Sequence, residues 1–365
     1  MSDMRLQENQ QQEIKRIKLE SMYPYTFVRV TVMRSKLISS HDYAKLVKMQ
    51  FSEIARFLQD TEYKTEIDEL AVKYGGSELL ELALTKNLVK TFKKLNATSS
   101  PEMNLLINAY LMKYDILNIK TIVRGLYTKA DRGYVKKLLI PAGTFTEEFL
   151  DELQKKQNIE EIIRAVPFIE YKNMRAHIDA LTEKGALFEF ENALDKFYQT
   201  FLVMFTEQIP REGNLFREFL LAQIQTTNIL TIARLMKEGM HREEIAKFAF
   251  MTGIREIDVE TRKLLMARNI ESLASHLANK SLKKFLHKSI EAYKDSKSLV
   301  EFERLLSKRM LDKSILFAHQ HPLSIDVILG YMFAKEIEIQ NLMKLVKGKE
   351  LGLDEAQISK EIVTK

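Results

Sequence analysis

Along most of this chain apolar residues recur at every third or fourth position, the spacing that lines one face of an α-helix. The pattern runs longest over 103–126, 214–237 and 325–347, where it predicts three long helices. Sustained alternation of apolar and polar residues, the mark of a half-buried strand, is missing, and no strand–helix–strand order emerges. The stretch from Tyr23 to Ile38 is rich in β-branched residues, yet Phe27, Val30, Met33 and Leu37 keep helical spacing, so it is expected to be helical as well. Further helices are expected over about 42–58, 78–95, 176–207 (in two pieces), 241–267 (with a turn at Thr252-Gly253), 270–292, 297–320 and 354–363. Breaks fall at Ser39-Ser40, Gly75-Gly76, Asn96 to Pro101, Pro141 to Gly143, Pro167, Pro210 to Gly213 and His321-Pro322. Gly348 and Gly352 are expected to end the helix that begins near 325. With only 12 Gly and 6 Pro in 365 residues, breakers are scarce and long helices are favoured.

The pattern also repeats. Asn118-Ile-Lys-Thr-Ile-Val-Arg124 returns as Asn228-Ile-Leu-Thr-Ile-Ala-Arg234 and as Asn341-Leu-Met-Lys-Leu-Val-Lys347, with the Asn residues 110 and then 113 positions apart. Glu53-Ile-Ala-Arg56 followed by Tyr63 resembles Glu161-Ile-Ile-Arg164 followed by Tyr171, and Asn158-Ile-Glu160 returns as Asn269-Ile-Glu271. These offsets, 108 and 111, report nearly the same period. A regular period marks a structural unit used more than once. The expectation is an all-α chain of three similar helical units, 23–126, 127–237 and 238–365, behind a polar extension at 1–22. Three such units packed side by side suit a pseudo-threefold, funnel-like arrangement. In each copy the Asn lies beside an apolar stripe, which favours a polar anchor bonded to neighbouring backbone over a ligand contact.

Composition narrows the function. The net charge is +6 and the sequence pI about 9.0. Lysines come as isolated pairs within amphipathic patterns, such as Lys93-Lys94 and Lys283-Lys284, rather than as a basic arm. Solubilising helix faces explain them best. A basic helical-repeat scaffold binding nucleic acid or an acidic protein is the alternative. Cysteine is absent, which removes disulfides, thiolate nucleophiles and thiolate metal ligands. No run approaches the roughly 20 apolar residues of a membrane span. Phosphate-binding, dinucleotide-binding and nucleophile-elbow motifs are missing, as is His-Glu-x-x-His. His319-Gln-His321 is the one close His pair, and with Pro322 beside it a helix end is the better reading than a metal site. Glu336 and Glu338 are expected on a charged helix face with Lys335 and Lys344 as screening partners. No enzyme chemistry, cofactor or metal is expected.

The C-terminal stretch carries Tyr331, Lys335-Glu336-x-Glu338, Asn341 and Gly348-Lys349. Lys113-Tyr114-Asp115-x-x-Asn118 and the run from Val28 to Leu37 form two further motifs. In combination they resemble the C subunit of archaeal and bacterial A/V-type ATPases and its eukaryotic counterpart, the d subunit of V-ATPases, over about residues 23–363. The resemblance implies a non-catalytic rotor subunit of the central stalk. One end would seat on the membrane proteolipid ring and the other would receive the central shaft subunits, coupling ATP synthesis or hydrolysis to proton or sodium transport. It implies peripheral association at the cytoplasmic face of the membrane, no nucleic-acid partner and no small-molecule substrate. The loops at about 96–101, 141–146, 209–213 and 348–353 are candidate contact rims by position alone.

Overall fold

The computed structural model describes residues 23–210, 213–277, 279–320 and 323–364, so the extension 1–22 and His321-Pro322 lie outside the described residues. Among the described residues every regular element is helical, as the apolar spacing predicts. Helix α1 (Pro24–Ser35) leads to α2 (Ser40–Leu46), α3 (Phe51–Gln59), α4 (Lys64–Leu70) and the long α5 (Gly76–Ala97). The first repeat helix, α6 (Pro101–Thr128), is followed by α7 (Arg132–Leu138), α8 (Glu147–Gln154), α9 (Ile159–Ala165), α10 (Tyr171–Lys184) and α11 (Leu187–Gln208). The second, α12 (Asn214–Lys237), is followed by α13 (Arg242–Phe248), α14 (Arg255–Leu265), a 3₁₀ turn (Ile270–Ser272), α15 (Lys280–Ser296) and α16 (Leu299–Gln320). The third, α17 (Asp326–Glu350), is followed by α18 (Glu355–Glu361) alone.

Local chemistry sets these boundaries. Ser100 caps α6, accepting from the Met103 amide, and Pro101 occupies the first turn, where a missing N–H costs nothing. All three repeat helices end at a left-handed residue: Lys129 (φ 56°), Gly239 (φ 75°) and Gly352 (φ 70°). Those positions keep the same offsets as the Asn residues, so each left-handed residue stands eleven positions after its Asn. Glycine enters that conformation freely, whereas a lysine there costs about 1–2 kcal/mol.

Four expectations need correction. The helix expected over 42–58 is two, because Gln50 is extended and its amide donates to the Glu53 carboxylate at 2.8 Å, forming a new N-terminus. The helix expected over 270–292 begins only at Lys280, where the Asn279 side chain accepts from the Leu282 amide at 2.9 Å. Gly348 does not end α17. It is buried within the helix, and a Cβ there would stand 2.7 Å from Ile358 of α18. Gly125 of α6 plays the same part, since its Cβ would meet Val135 of α7 at 2.5 Å. Both glycines are needed for close helix contact, not for a turn. The fourth correction, at Glu336 and Glu338, is described with the site.

Apolar side chains gather in three cores. One runs from Ile116 of α6 to Leu194 of α11, and a second from Ile229 of α12 to Leu306 of α16. The third joins both ends of the chain, from Tyr23 to Tyr114 and from Ile325 to Val363, and includes the N-terminal half of α12. Helices α6 and α12 therefore serve two cores, one along each half, which explains why neither has a strongly one-sided apolar face. The last long helix of each group packs on the repeat helix: α11 on α6, α16 on α12, and α5 on α17. In the third case the partners come from opposite ends of the chain. Helix α1 also packs on α17 and stands outside this scheme.

Candidate functional site

The repeated Asn does the same thing three times. The Asn118 amide donates to the Ile140 carbonyl and accepts from the Ile140 N–H, both at 2.8 Å. Asn228 does so with Phe250 at 2.8 and 2.9 Å, and also donates to the Thr261 hydroxyl at 3.3 Å. Asn341 does so with Val363 at 2.7 and 2.8 Å. The partner lies 22 residues further on in every case. The side chain mimics one rung of a sheet ladder and ties the extended segment after a short helix back onto the repeat helix. All three Asn residues are buried, so neither backbone group has water as a substitute.

The repeated base is also repeated in its partner. Arg124 forms a two-point pair with Glu191, its Nη2 at 2.5 Å, and Arg234 forms one with Glu303 at 2.8 Å on both arms. Lys347 pairs with Glu81 at 2.6 Å and with Glu350 at 2.9 Å. The pairs with Glu191, Glu303 and Glu81 join each repeat helix to the long helix packed on it. Donating to its glutamate pushes each base above the usual range, with the opposite charge adding to the effect. The bases are half exposed, so each pair contributes less than about 1 kcal/mol and sets register more than stability. Sequence reasoning missed these glutamates, although Glu81, Glu191 and Glu303 stand 110 and 112 positions apart.

Helix α17 carries the most concentrated polar chemistry. The sequence suggests a charged outer face for its Lys335, Glu336 and Glu338, whereas the structure buries all three, at 3%, 5% and 4% exposure. Burial follows from packing: α17 is surrounded by α1, α5, α16 and α18, and from Tyr331 to Ile339 no residue is exposed. Charges there must be paired. Glu336 accepts from the Tyr110 hydroxyl at 2.6 Å, the Lys113 ammonium at 2.6 Å and the Tyr114 hydroxyl at 2.9 Å. Lys113 also lies 3.7 Å from the centre of the Tyr110 ring. Burial pulls the Lys113 ammonium below the usual lysine range, and Glu336 partly offsets this. Glu338 accepts from Lys335 at 2.8 Å, the Tyr63 hydroxyl at 2.6 Å and the Ile38 amide at 2.5 Å. Burial and the Glu338 charge hold Tyr63 well above the ordinary phenol range, and burial with Glu336 does the same to Tyr110.

Asp115 offers a comparison. Its carboxylate accepts from the Thr144 and Phe145 amides at 2.8 and 3.0 Å, just ahead of α8. Glu338 accepts from the Ile38 amide just ahead of α2. The two carboxylates are three residues N-terminal to Asn118 and Asn341. Within one stretch of chain Asp115 fixes the entry to the next helix; Glu338 does this for a segment that begins at the other terminus. Tyr331 is buried four residues before Lys335, and Lys349 is half-buried in the last turn of α17. His319 and Gln320 close α16 in backbone.

These groups hold helices together. Their carboxylates are saturated with donors, and among the described residues no set of three His, Asp or Glu side chains converges as a metal site. Among those residues too, no helix is long and apolar enough to cross a membrane.

Comparison with known proteins gives the same direction. The family model for the ATP synthase (C/AC39) subunit matches residues 27–361. The A-type ATP synthase C subunit of Methanococcoides burtonii is 34% identical over 348 residues, covering 94% of each chain. That of Methanosarcina mazei is 34% identical over 351 residues, covering 96% of this chain and 95% of the relative. That of Haloferax volcanii is 31% identical over 348 residues, covering 93% and 97%. With the family pattern spanning nearly the whole fold and full-length relatives above 30% identity, the chain belongs to the ATP synthase (C/AC39) subunit family.

Proposed function

We propose that this chain is a non-catalytic rotor part of a rotary A/V-type ATPase, a socket between the central shaft and the membrane proteolipid ring. The observation that carries the reading is the threefold use of one device: a long helix, an Asn clamp 22 residues in span, and a charged tie to a second long helix. Three such groups support a pseudo-threefold funnel with an axial opening. The packing supports unit borders ahead of each repeat helix, near 97–101, 208–214 and 320–326, with the third unit closed between the two chain ends.

Torque transfer demands stiffness between two contact faces. Helix α6 has 28 residues and so spans about 42 Å. The buried ion pairs and hydroxyl bonds around Glu336 and Glu338 oppose sliding of α17 against its neighbours, since any shift strands a charge in an apolar core. A funnel of this kind grips an axial shaft while its rim rests on the ring at the cytoplasmic face.

The test is an affinity pull-down of the tagged chain from gently solubilised native membranes, with partners identified by mass. Recovery of catalytic-head, shaft and proteolipid subunits supports the socket. A folded chain that brings down none of them refutes it.

A further inference from the structure

Among the described residues helix α1 has no counterpart between α7 and α8 or between α13 and α14, and it adds a surface that the other two groups lack. Its inner side packs Val30 into the core, with Phe27 and Met33 against it and Leu37 joining just beyond the helix end. Its outer side presents Tyr25, Val28 and Val32, at 66%, 59% and 53% exposure, in a row at helical spacing. Three large apolar side chains on the outside of one short helix are unusual where the inner side already supplies the packing.

That row borders a cleft of about 510 Å³ between α1, α4 and α5. Six cationic side chains line it, Arg29, Lys36, Lys64, Lys90, Lys94 and Lys335, against the single acid Glu62. Three of the cations are matched: Lys36 by Glu62 at 2.6 Å, Lys90 by Glu66 at 2.6 Å and Lys335 by Glu338 at 2.8 Å. Arg29 donates to the Tyr25 hydroxyl, a neutral partner, at 2.7 Å. Among the described residues Lys64 and Lys94 have no acidic partner, and both are exposed. Asn87 lines the same cleft, and although buried its Oδ1 has no hydrogen-bond partner among the described residues. An unsatisfied buried acceptor costs free energy unless something supplies a donor.

We propose that this cleft is a docking groove for an acidic amphipathic helix of a partner protein. Lys90 and Lys94 are one turn apart on α5 and face a wall bearing Val28 and Val32 on α1. A helix laid between them would meet cations on one side and apolar side chains on the other, the pattern of helix-in-groove recognition. Three uncompensated cations select carboxylates on that helix and exclude a basic one. The groove lies on the one helix outside the threefold scheme, so a partner using it binds once per chain. This inference concerns the outer face of α1 and stands apart from the socket reading.

The absence of cysteine makes a direct test available. Val28→Cys introduces the sole thiol of the full-length chain, which carries a benzophenone photo-cross-linker in native membranes. The expected product is a cross-link to a segment of another protein with a clear excess of Asp and Glu and apolar residues every three or four positions. Its yield should fall about fivefold or more in Lys64→Glu/Lys94→Glu, two exposed substitutions checked for folding by circular dichroism. An unchanged yield in that double variant overturns the proposal. So does a product on residues 1–22 of this chain, on a second copy or on lipid. A chain that co-purifies with the ATPase but gives no cross-link also overturns the groove while leaving the socket intact. Cross-linking to an acidic helix of a protein outside the ATPase supports the groove and counts against the socket.

Discussion

Replacing Glu336 by Gln tests the central claim about α17. The carboxylate is 5% exposed and neutralises Lys113, whose side chain is 21% exposed, at 2.6 Å. If the pair behaved like a surface ion pair, its loss would cost less than about 1 kcal/mol. Burial predicts otherwise. The substituted amide keeps the size of the side chain but strands the Lys113 ammonium among Tyr110, Tyr114 and the helix backbone. The expected loss is about 3–5 kcal/mol, most of it from the uncompensated cation rather than from the attraction itself. The companion variant Lys113→Met/Glu336→Gln removes both charges, leaves an amide oxygen to accept from the Tyr110 and Tyr114 hydroxyls, and should recover most of that loss. Urea unfolding, followed by far-UV dichroism and tyrosine fluorescence, provides the free energies, and the cycle through Lys113→Met isolates the coupling. If Glu336→Gln stays within about 1 kcal/mol of the parent, or if the double variant is the worst of the set, the reasoning about a buried, charge-tied helix is wrong.

Other consequences are simpler to measure. Asn228→Ala and Asn341→Ala should each destabilise by about 1–3 kcal/mol in urea titrations, because a buried N–H and a buried C=O lose their shared partner. Asn341→Asp should be no better, since a carboxylate cannot donate to the Val363 carbonyl. Lys129→Gly should raise stability by about 1 kcal/mol in the same assay by relieving a left-handed lysine. Tyr43, Tyr63, Tyr110, Tyr114, Tyr198 and Tyr331 are all held above the ordinary phenol range, chiefly by burial. The unfolded chain releases those protons above about pH 10 while the fold retains them, so stability should fall by about 1.4 kcal/mol per tyrosine per pH unit in that range. Tyrosinate absorbance should then lag behind a free-tyrosine titration and rise together with alkaline unfolding. A circular permutant that links the C-terminus to the segment ahead of α2 and opens the chain at 97–101 should keep the parent's helicity, because Ile38 and Ser39 line the same cleft as Val363 and Thr364. Loss of cooperative unfolding in that permutant would refute the split third unit.

Much of this protein is legible in its sequence because helix periodicity is local. Apolar spacing and capping residues act within one or two turns, so they place α6, α12 and α17 within a few residues. The repeated Asn also announces itself, because one backbone bond is needed three times and the same residue type supplies it. Ambiguous local signals mislead. Gln50 reads as an ordinary helix residue until Glu53 is seen reaching back to its amide, and Asn279 reads as helix interior until it is seen as a cap.

Other features depend on contacts between distant residues. Glu336 and Glu338 look like a solvated face because the sequence shows charge but not enclosure; only α1, α5, α16 and α18 around α17 make them core residues. Gly348 looks like a helix end because the sequence cannot show Ile358 pressed against it. The joining of Tyr63, Tyr110 and Ile38 to a helix some 220–300 residues away in the chain is likewise a matter of tertiary packing. Periodicity determines which residues share a helix face, since that geometry repeats every 3.6 residues. Which faces meet, and so which charges are buried and which glycines are crowded, is decided by closing the chain's two ends into one core.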